Sequence, residues 1–271
     1  MLIRDEQDGV LVLRLAHGRA NALDLELVEA LRAQLERVRG VPCDSREGLP
    51  AEGRGNMSRR TSEFPRAVVL TGAGSIFSAG VDLKRFVKDG PEYAARLFDS
   101  LSVLLHTLFT LDLPVIAAIN GHAIAGGCLL AFACDHRIMA TGNGRIGLPE
   151  LLVGLPFPAI AHEIVRFAVP AQHLRQLVYS GATLHPEEAI QKGFLEEIAP
   201  AGELEPRALR SAAQYADVPR EIFRHTKRFL LTESLDRLSR RQAEADAEAL
   251  AVWRAAETHA QVRAYVERTL G

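Results

Sequence analysis

The chain reads as an α/β protein with a helical C-terminal region. Short apolar runs of strand length alternate with segments of helical period through the first 200 residues, the pattern of strands covered by helices. Small-residue loops stand at two of the strand-to-helix junctions. Past about residue 200 only charged stretches of helical period follow.

Residues 2–5 and 10–15 flank Gln7-Asp8-Gly9, a turn signal, and predict a hairpin. Asp24 is placed to cap a helix whose apolar residues Leu27, Leu31, Leu35 and Val38 make one stripe, and Gly40 ends it. Residues 41–65 carry Pro42, Gly48, Pro50, Gly53, Gly55 and Pro65 among polar side chains without a period, which reads as a long polar loop. Ala67-Val68-Val69-Leu70-Thr71 is a buried strand stopped by Gly72-Ala73-Gly74, and Val115-Ile116-Ala117-Ala118-Ile119 is a second one after Pro114. Between them a helix over roughly 91–112 carries Leu97, Leu101, Leu105, Leu108 and Leu111, with Pro91 in its first turn. Cys128 to Cys134 is apolar all round, as a helix inside a core is, and Arg137-Ile138-Met139-Ala140 is the strand after it. Pro200-Ala201-Gly202 marks a junction. It divides residues 1–200, a core that holds the site, from 201–271, a helical region suited to oligomerisation or to a lid, with stretches near 206–216, 219–231 and 234–257 and a last one to 270.

With 48% apolar and 24% charged residues the chain can bury a large core, and a net charge of -2 supplies no field to draw nucleic acid or an anionic membrane. Neither is expected as a partner. Cys43, Cys128 and Cys134 have no metal-ligand spacing and read as thiols of a reducing compartment, so no metal site is expected. The start Leu2-Ile3-Arg4-Asp5-Glu6 has the form of neither a secretory signal nor a transit peptide, and no apolar run reaches the roughly 18 residues of a membrane span. A cytoplasmic location is expected.

The chemistry is carried by two loops, Phe77-Ser78-Ala79-Gly80-Val81-Asp82-Leu83-Lys84 and Asn120-Gly121-His122-Ala123-Ile124-Ala125-Gly126-Gly127-Cys128, about 40 positions apart. Two such loops can present two backbone N–H groups to one oxygen. Preorganised donors of this kind each lower a barrier by roughly 2.7–4 kcal/mol when negative charge develops on that oxygen. Gly126 and Gly127 follow a buried strand and open an apolar helix, where unpaired N–H groups and the positive helix end favour an oxygen anion. A Gly-Gly pair alone serves equally to let a helix pack closely on a sheet. Neither loop has the dinucleotide fingerprint, no G-x-S-x-G supports a serine nucleophile, and His122, His136 and His162-Glu163 lack the spacing of a metal site and read as structural. Trp253, at helical spacing from Leu250 and Ala256, reads as a packing or interface anchor.

These two loops, followed by Cys134-Asp135 and by Ile146-Gly147-Leu148-Pro149-Glu150, resemble in order and spacing the signatures of the enoyl-CoA hydratase/isomerase (crotonase) superfamily over roughly residues 1–200. The resemblance implies a spiral of ββα units, a C-terminal helical region that builds homotrimers or hexamers, and an acyl-CoA thioester as substrate. No separate cofactor is implied, coenzyme A being part of the substrate. Carried over by position, the N–H groups of Val81 and Gly126 form an oxyanion hole for the thioester carbonyl, with Glu150 as the catalytic acid–base. Ala20, Asn21, Ala22 and Leu23 match the early loop beside the coenzyme. Ala79, Asp82, Leu83 and Lys84 line its channel, Lys84 near a phosphate, while Gly127, Leu129 and Phe157 complete the substrate site. Arg175, Arg224, Lys227 and Arg228 are further candidates for the phosphates, across a subunit boundary.

The departures bear on the reaction. Hydratases of the superfamily carry a glutamate directly after Gly-Gly-Cys, where this chain has Leu129, and a second glutamate, retained here as Glu150. Adding water to a C=C bond asks one group to activate water and another to manage the proton, and an alkyl side chain does neither. A single carboxylate suffices to move a proton along a chain, which is enoyl-CoA isomerisation. Gly154-Leu155-Pro156-Phe157-Pro158 departs again, where many members have a glycine-rich stretch, and Phe157 and Pro158 add bulk near the acyl pocket. Two alternatives stand beside the isomerase reading: a hydratase or other enolate enzyme with a substitute second acid, and a catalytically silent binding protein on the same fold.

Overall fold

The computed structural model describes residues 1–39 and 64–269. Gly40, Cys43 and residues 41–63 of the expected polar loop lie outside the described residues. Strands β1 (Leu2–Gln7) and β2 (Val10–Leu15) pair antiparallel. Asp8 and Gly9 both have positive φ, 51° and 78°, so the hairpin closes through a two-residue turn whose twist matches its strands. Helix α1 (Leu25–Arg39) buries the expected stripe of Leu27, Leu31, Leu35 and Val38. Asp24 caps it: its Oδ1 accepts the Leu27 N–H at 2.9 Å. Burial alone would raise the Asp24 pKa, but the Leu27 N–H, His17 and Arg85 together outweigh burial and hold it below the ordinary value. Asp24→Ala removes these contacts and should lower stability by about 0.5–2 kcal/mol, read as a lower melting temperature.

The centre of the chain repeats one unit three times. Strand β3 (Ala67–Gly72) is followed by β4 (Ile76–Ser78) and α2 (Leu83–Phe109). Then β5 (Val115–Ile119) leads to β6 (His122–Ile124) and α3 (Gly126–Phe132), and β7 (His136–Ala140) to β8 (Ile146–Gly147) and α4 (Glu150–Val153). The first strand of each unit joins a six-stranded sheet and the second joins a four-stranded sheet, so the chain winds as a spiral. Within the larger sheet β2, β3, β5 and β7 run parallel; within the smaller, β4, β6 and β8 do. After α5 (Ala159–Ala168) and α6 (Ala171–Ser180), β9 (Thr183–Leu184) adds antiparallel to β8. Helix α7 (Pro186–Gln191) then leads to β10 (Glu197–Ala199), which extends the large sheet beside β7.

Helix α2 differs from the sequence expectation at both ends. It begins at Leu83, where Asp82 accepts the Arg85 N–H at 3.0 Å, and ends at Phe109. Gly90, with φ 80° and ψ −172°, breaks it into two segments, and Pro91 opens the second. The Gly-Pro pair thus looks like a helix start in the sequence while the chain is already helical before it.

At the 200–202 junction, Ala201–Glu203 forms a 3-10 turn, but the helix after it belongs to the sheet. Helix α8 (Leu204–Ala216) lays Leu204, Ala208, Ala212 and Ala216 on the face made by Val10, Val12, Val69, Ile116, Ala118 and Ile138. Alternate residues of the same strands, Leu11, Leu13, Leu70, Ala117 and Ile119 among them, face the main core, as a strand period of two dictates. Beyond it run α9 (Arg220–Leu230), α10 (Thr232–Arg254) and α11 (Ala256–Thr269). Helices α10 and α11 pack back on α2, and α10 also packs on α5. No described helix is long and apolar enough to cross a membrane.

Candidate active site

The repeat decides where the chemistry meets. Strands β4, β6 and β8 are neighbours, with Ser78 paired to Ala123 and Ile124 to Gly147, so the turns after their C-terminal ends lie side by side. Val81 sits in the turn after β4, Gly126 follows β6, and Glu150 follows β8. Residues far apart in sequence are in this way brought to one end of the small sheet, where parallel sheets bind ligands.

Each donor follows a residue with positive φ: Gly80 at 81° before Val81 and Ala125 at 54° before Gly126. Such a φ in alanine costs on the order of 1–3 kcal/mol, and here it rotates the 125–126 peptide out of line with β6. Leu23 donates to the Gly80 carbonyl at 2.8 Å and its own carbonyl accepts the Asp82 N–H at 3.1 Å. This isolated bridge fixes both sides of Val81 yet leaves its N–H unspent. Among the described residues, neither the Val81 nor the Gly126 N–H finds a protein acceptor. The loops touch: a Cβ built on Gly80 would lie 2.9 Å from the Gly126 nitrogen.

Both donors open onto a cavity of about 610 Å³. Its exposed rim carries Gly18, Arg19 and Lys84, and its buried walls include Leu101, Leu129, Leu155, Phe157 and Trp253. Glu150 lines it as well, with Oε2 shut away from solvent and without a hydrogen-bond partner. Loss of water pushes the Glu150 pKa up to about 8, against a hydrogen bond from its own backbone N–H. Asp82, the other carboxylate in the wall, caps α2, and His17 Nε2 is tied to Asp24 Oδ2 at 2.6 Å.

Of the residues singled out in the sequence, Ala20, Ala22, Ala79, Val81, Asp82, Leu83, Lys84, Gly126, Leu129, Glu150 and Phe157 line this cavity. Three do not. Asn21 is buried and structural: it accepts the His17 N–H, and its side-chain amide donates to the Ile76 and Ala73 carbonyls. Leu23 points into the core, and Gly127 is pressed so close to Ser78 that a Cβ there would meet its carbonyl oxygen at 2.2 Å. Arg175, Arg224, Lys227 and Arg228 lie away from the cavity. Lys227 pairs with Asp135 at 2.7 Å, Arg228 with Asp112 at 3.4 Å, and Arg224 with Glu221. His122, His136 and His162 are likewise outside it.

Sequence reasoning passed over His17, Arg19, Leu101, Val153, Leu155 and Tyr265 as lining residues. Trp253 is packed as expected, but its indole also forms part of the cavity wall. Its distance from the loops in sequence hides this, since only the return of α10 onto α2 brings it there.

A spiral of ββα units, with two unspent amides and an unpartnered carboxylate oxygen lining one cavity, defines a crotonase-fold enzyme. The sequence model of the enoyl-CoA hydratase/isomerase family matches residues 58–270, and the chain belongs to that family. It is 28% identical over 240 residues to the mitochondrial enoyl-CoA delta isomerase 1 of Mus musculus, covering 88% of this chain and 75% of that protein. To a putative enoyl-CoA hydratase of Thermus thermophilus it is 37% identical over 169 residues, covering 61% and 66%. The crystal structure of human mitochondrial delta3-delta2-enoyl-CoA isomerase shares the fold with a TM-score of 0.85, covering 98% of this chain and 97% of that one at 24% identity.

Proposed function

We propose that this chain is an enoyl-CoA isomerase in which Glu150 alone moves the proton. One observation carries the reading: the cavity offers a single unpartnered carboxylate in an apolar wall, with Leu129 filling the place where hydratases of the superfamily have their other glutamate. Ionised Glu150 takes a proton from C2 of a 3-enoyl thioester. The electron pair shifts into a dienolate whose oxygen receives hydrogen bonds from the Val81 and Gly126 N–H groups. The same carboxyl then returns the proton at C4, leaving the 2-enoyl thioester, so no proton is gained or lost overall. The relative named as a delta isomerase supports this reading. Arg19 and Lys84, both exposed at the rim, are placed to meet the phosphates of coenzyme A. Helix α9 leaves Ile222, Phe229 and Leu230 exposed, which fits assembly into a homotrimer or hexamer.

The test is incubation with 3-enoyl-CoA and, separately, with 2-enoyl-CoA. Double-bond migration without a hydroxyacyl product is expected, and hydration without migration overturns the proposal. Because the base must be ionised, kcat/KM should climb about tenfold per pH unit below the Glu150 pKa of about 8 and level off above it. A profile that is flat or falls across that range would contradict the assigned role.

A further inference from the structure

The buried end of the cavity is assembled from four parts of the chain. Leu101 comes from α2, Leu129 from α3, Leu155 and Phe157 from the segment between α4 and α5, and Trp253 from the last turn of α10. Each of the five is 6% exposed or less. The exposed lining residues are Gly18 and Arg19 on the loop after β2 and Lys84 in the first turn of α2, well before Leu101 on that helix, so the cavity runs from a polar mouth to a dry end.

Trp253 is pinned there from more than one side. Its Nε1–H donates to the Pro156 carbonyl at 2.9 Å. Phe86 and Phe98 of α2 meet it edge-on, with ring centroids 5.6 and 5.2 Å away and interplanar angles of 73° and 72°. The single polar atom of the indole is spent on the main chain, so the face it turns to the cavity is hydrocarbon. A side chain held by a hydrogen bond and two ring contacts in a close-packed interior does not swing aside for a longer ligand.

We propose that Trp253 is the fixed stop that sets the length of the acyl chain, and that the chain accepted is an unsubstituted aliphatic one. This rests on the acyl-CoA reading of the same cavity. A hydroxyl or carboxyl at the far end of the acyl group would lose its water and find no partner among Leu101, Leu129, Leu155, Phe157 and Trp253. Each methylene placed in the dry end adds affinity until the indole is met, and further length is then penalised.

Calorimetric titration with saturated acyl-CoAs, from butanoyl through octanoyl to hexadecanoyl, reads the pocket without chemistry, because no double bond is present to move. Affinity should rise with chain length and then break. In Trp253→Leu the break should move to longer chains, raising the affinity for the longest acyl-CoA relative to the shortest by about tenfold. If Trp253→Leu fails to fold, Trp253→Phe, which keeps a ring against Phe86 and Phe98, should give a smaller shift in the same direction. A series without a break, or a break that stays in place in a folded variant, overturns the stop. A wild-type protein that binds none of the series overturns the acyl-CoA reading itself, a different outcome from binding with an unmoved break.

Discussion

Glu150→Gln should lower kcat by about 10²- to 10⁴-fold while saturated acyl-CoA still binds, because the amide keeps the shape of the carboxyl but cannot take a proton. The same variant should also change how stability depends on pH. In the native protein burial raises the Glu150 pKa from an ordinary 4.5 to about 8. Between those values the carboxyl is neutral in the folded protein and ionised in the unfolded chain, so unfolding releases a proton and stability falls as pH rises. Glutamine has no such loss. Glu150→Gln should therefore melt above wild type at pH 9, with the advantage shrinking as pH falls through the window and vanishing below about 4.5. Equal melting curves at both ends would show that the carboxyl is not held in a water-poor site.

Gly80→Ala should lower kcat by about 10²- to 10³-fold, the effect of losing one donor to a developing oxyanion. Gly80 has a φ of 81°, and an added methyl would stand 2.8 Å from Ala125 Cβ, 2.8 Å from the Ile124 carbonyl and 2.9 Å from the Gly126 nitrogen. Relieving those contacts turns the 80–81 peptide or pushes the two turns apart, and both movements spoil the shared grip on one oxygen. Gly74→Ala is the control. Its φ is 72° but nothing lies within 4 Å of the new methyl, so it carries the backbone cost alone and should keep full turnover. Comparable kcat losses in the two variants would mean that backbone strain, and not donor placement, accounts for the result.

Much of this was legible in the residues. The hairpin, the Asp24 cap, the strands at 67 and 115 and the paired small-residue loops follow from local pattern, and each forms where expected. Local pattern could not say that the helix at Pro91 already begins at Leu83, since Gly90 absorbs the break in one residue. Nor could it tell that Asn21 turns inward to carbonyls of the 73–76 turn while its neighbours Ala20 and Ala22 line the cavity. The part of the wall that the late helices supply was least visible. Trp253 and Tyr265 reach the cavity only because two late helices fold back across α2, a contact between segments more than 150 positions apart that no periodicity records.

The side-by-side ends of β4, β6 and β8 carry an evolutionary consequence. If the proposed roles hold, grip and reagent are lodged on successive windings, the grip in main-chain atoms that no side-chain exchange deletes, the reagent in one replaceable residue. Mutation can accordingly swap what acts on a captured thioester while the means of capture is inherited intact, which lets a lineage explore new reactions without first losing its hold on old substrates.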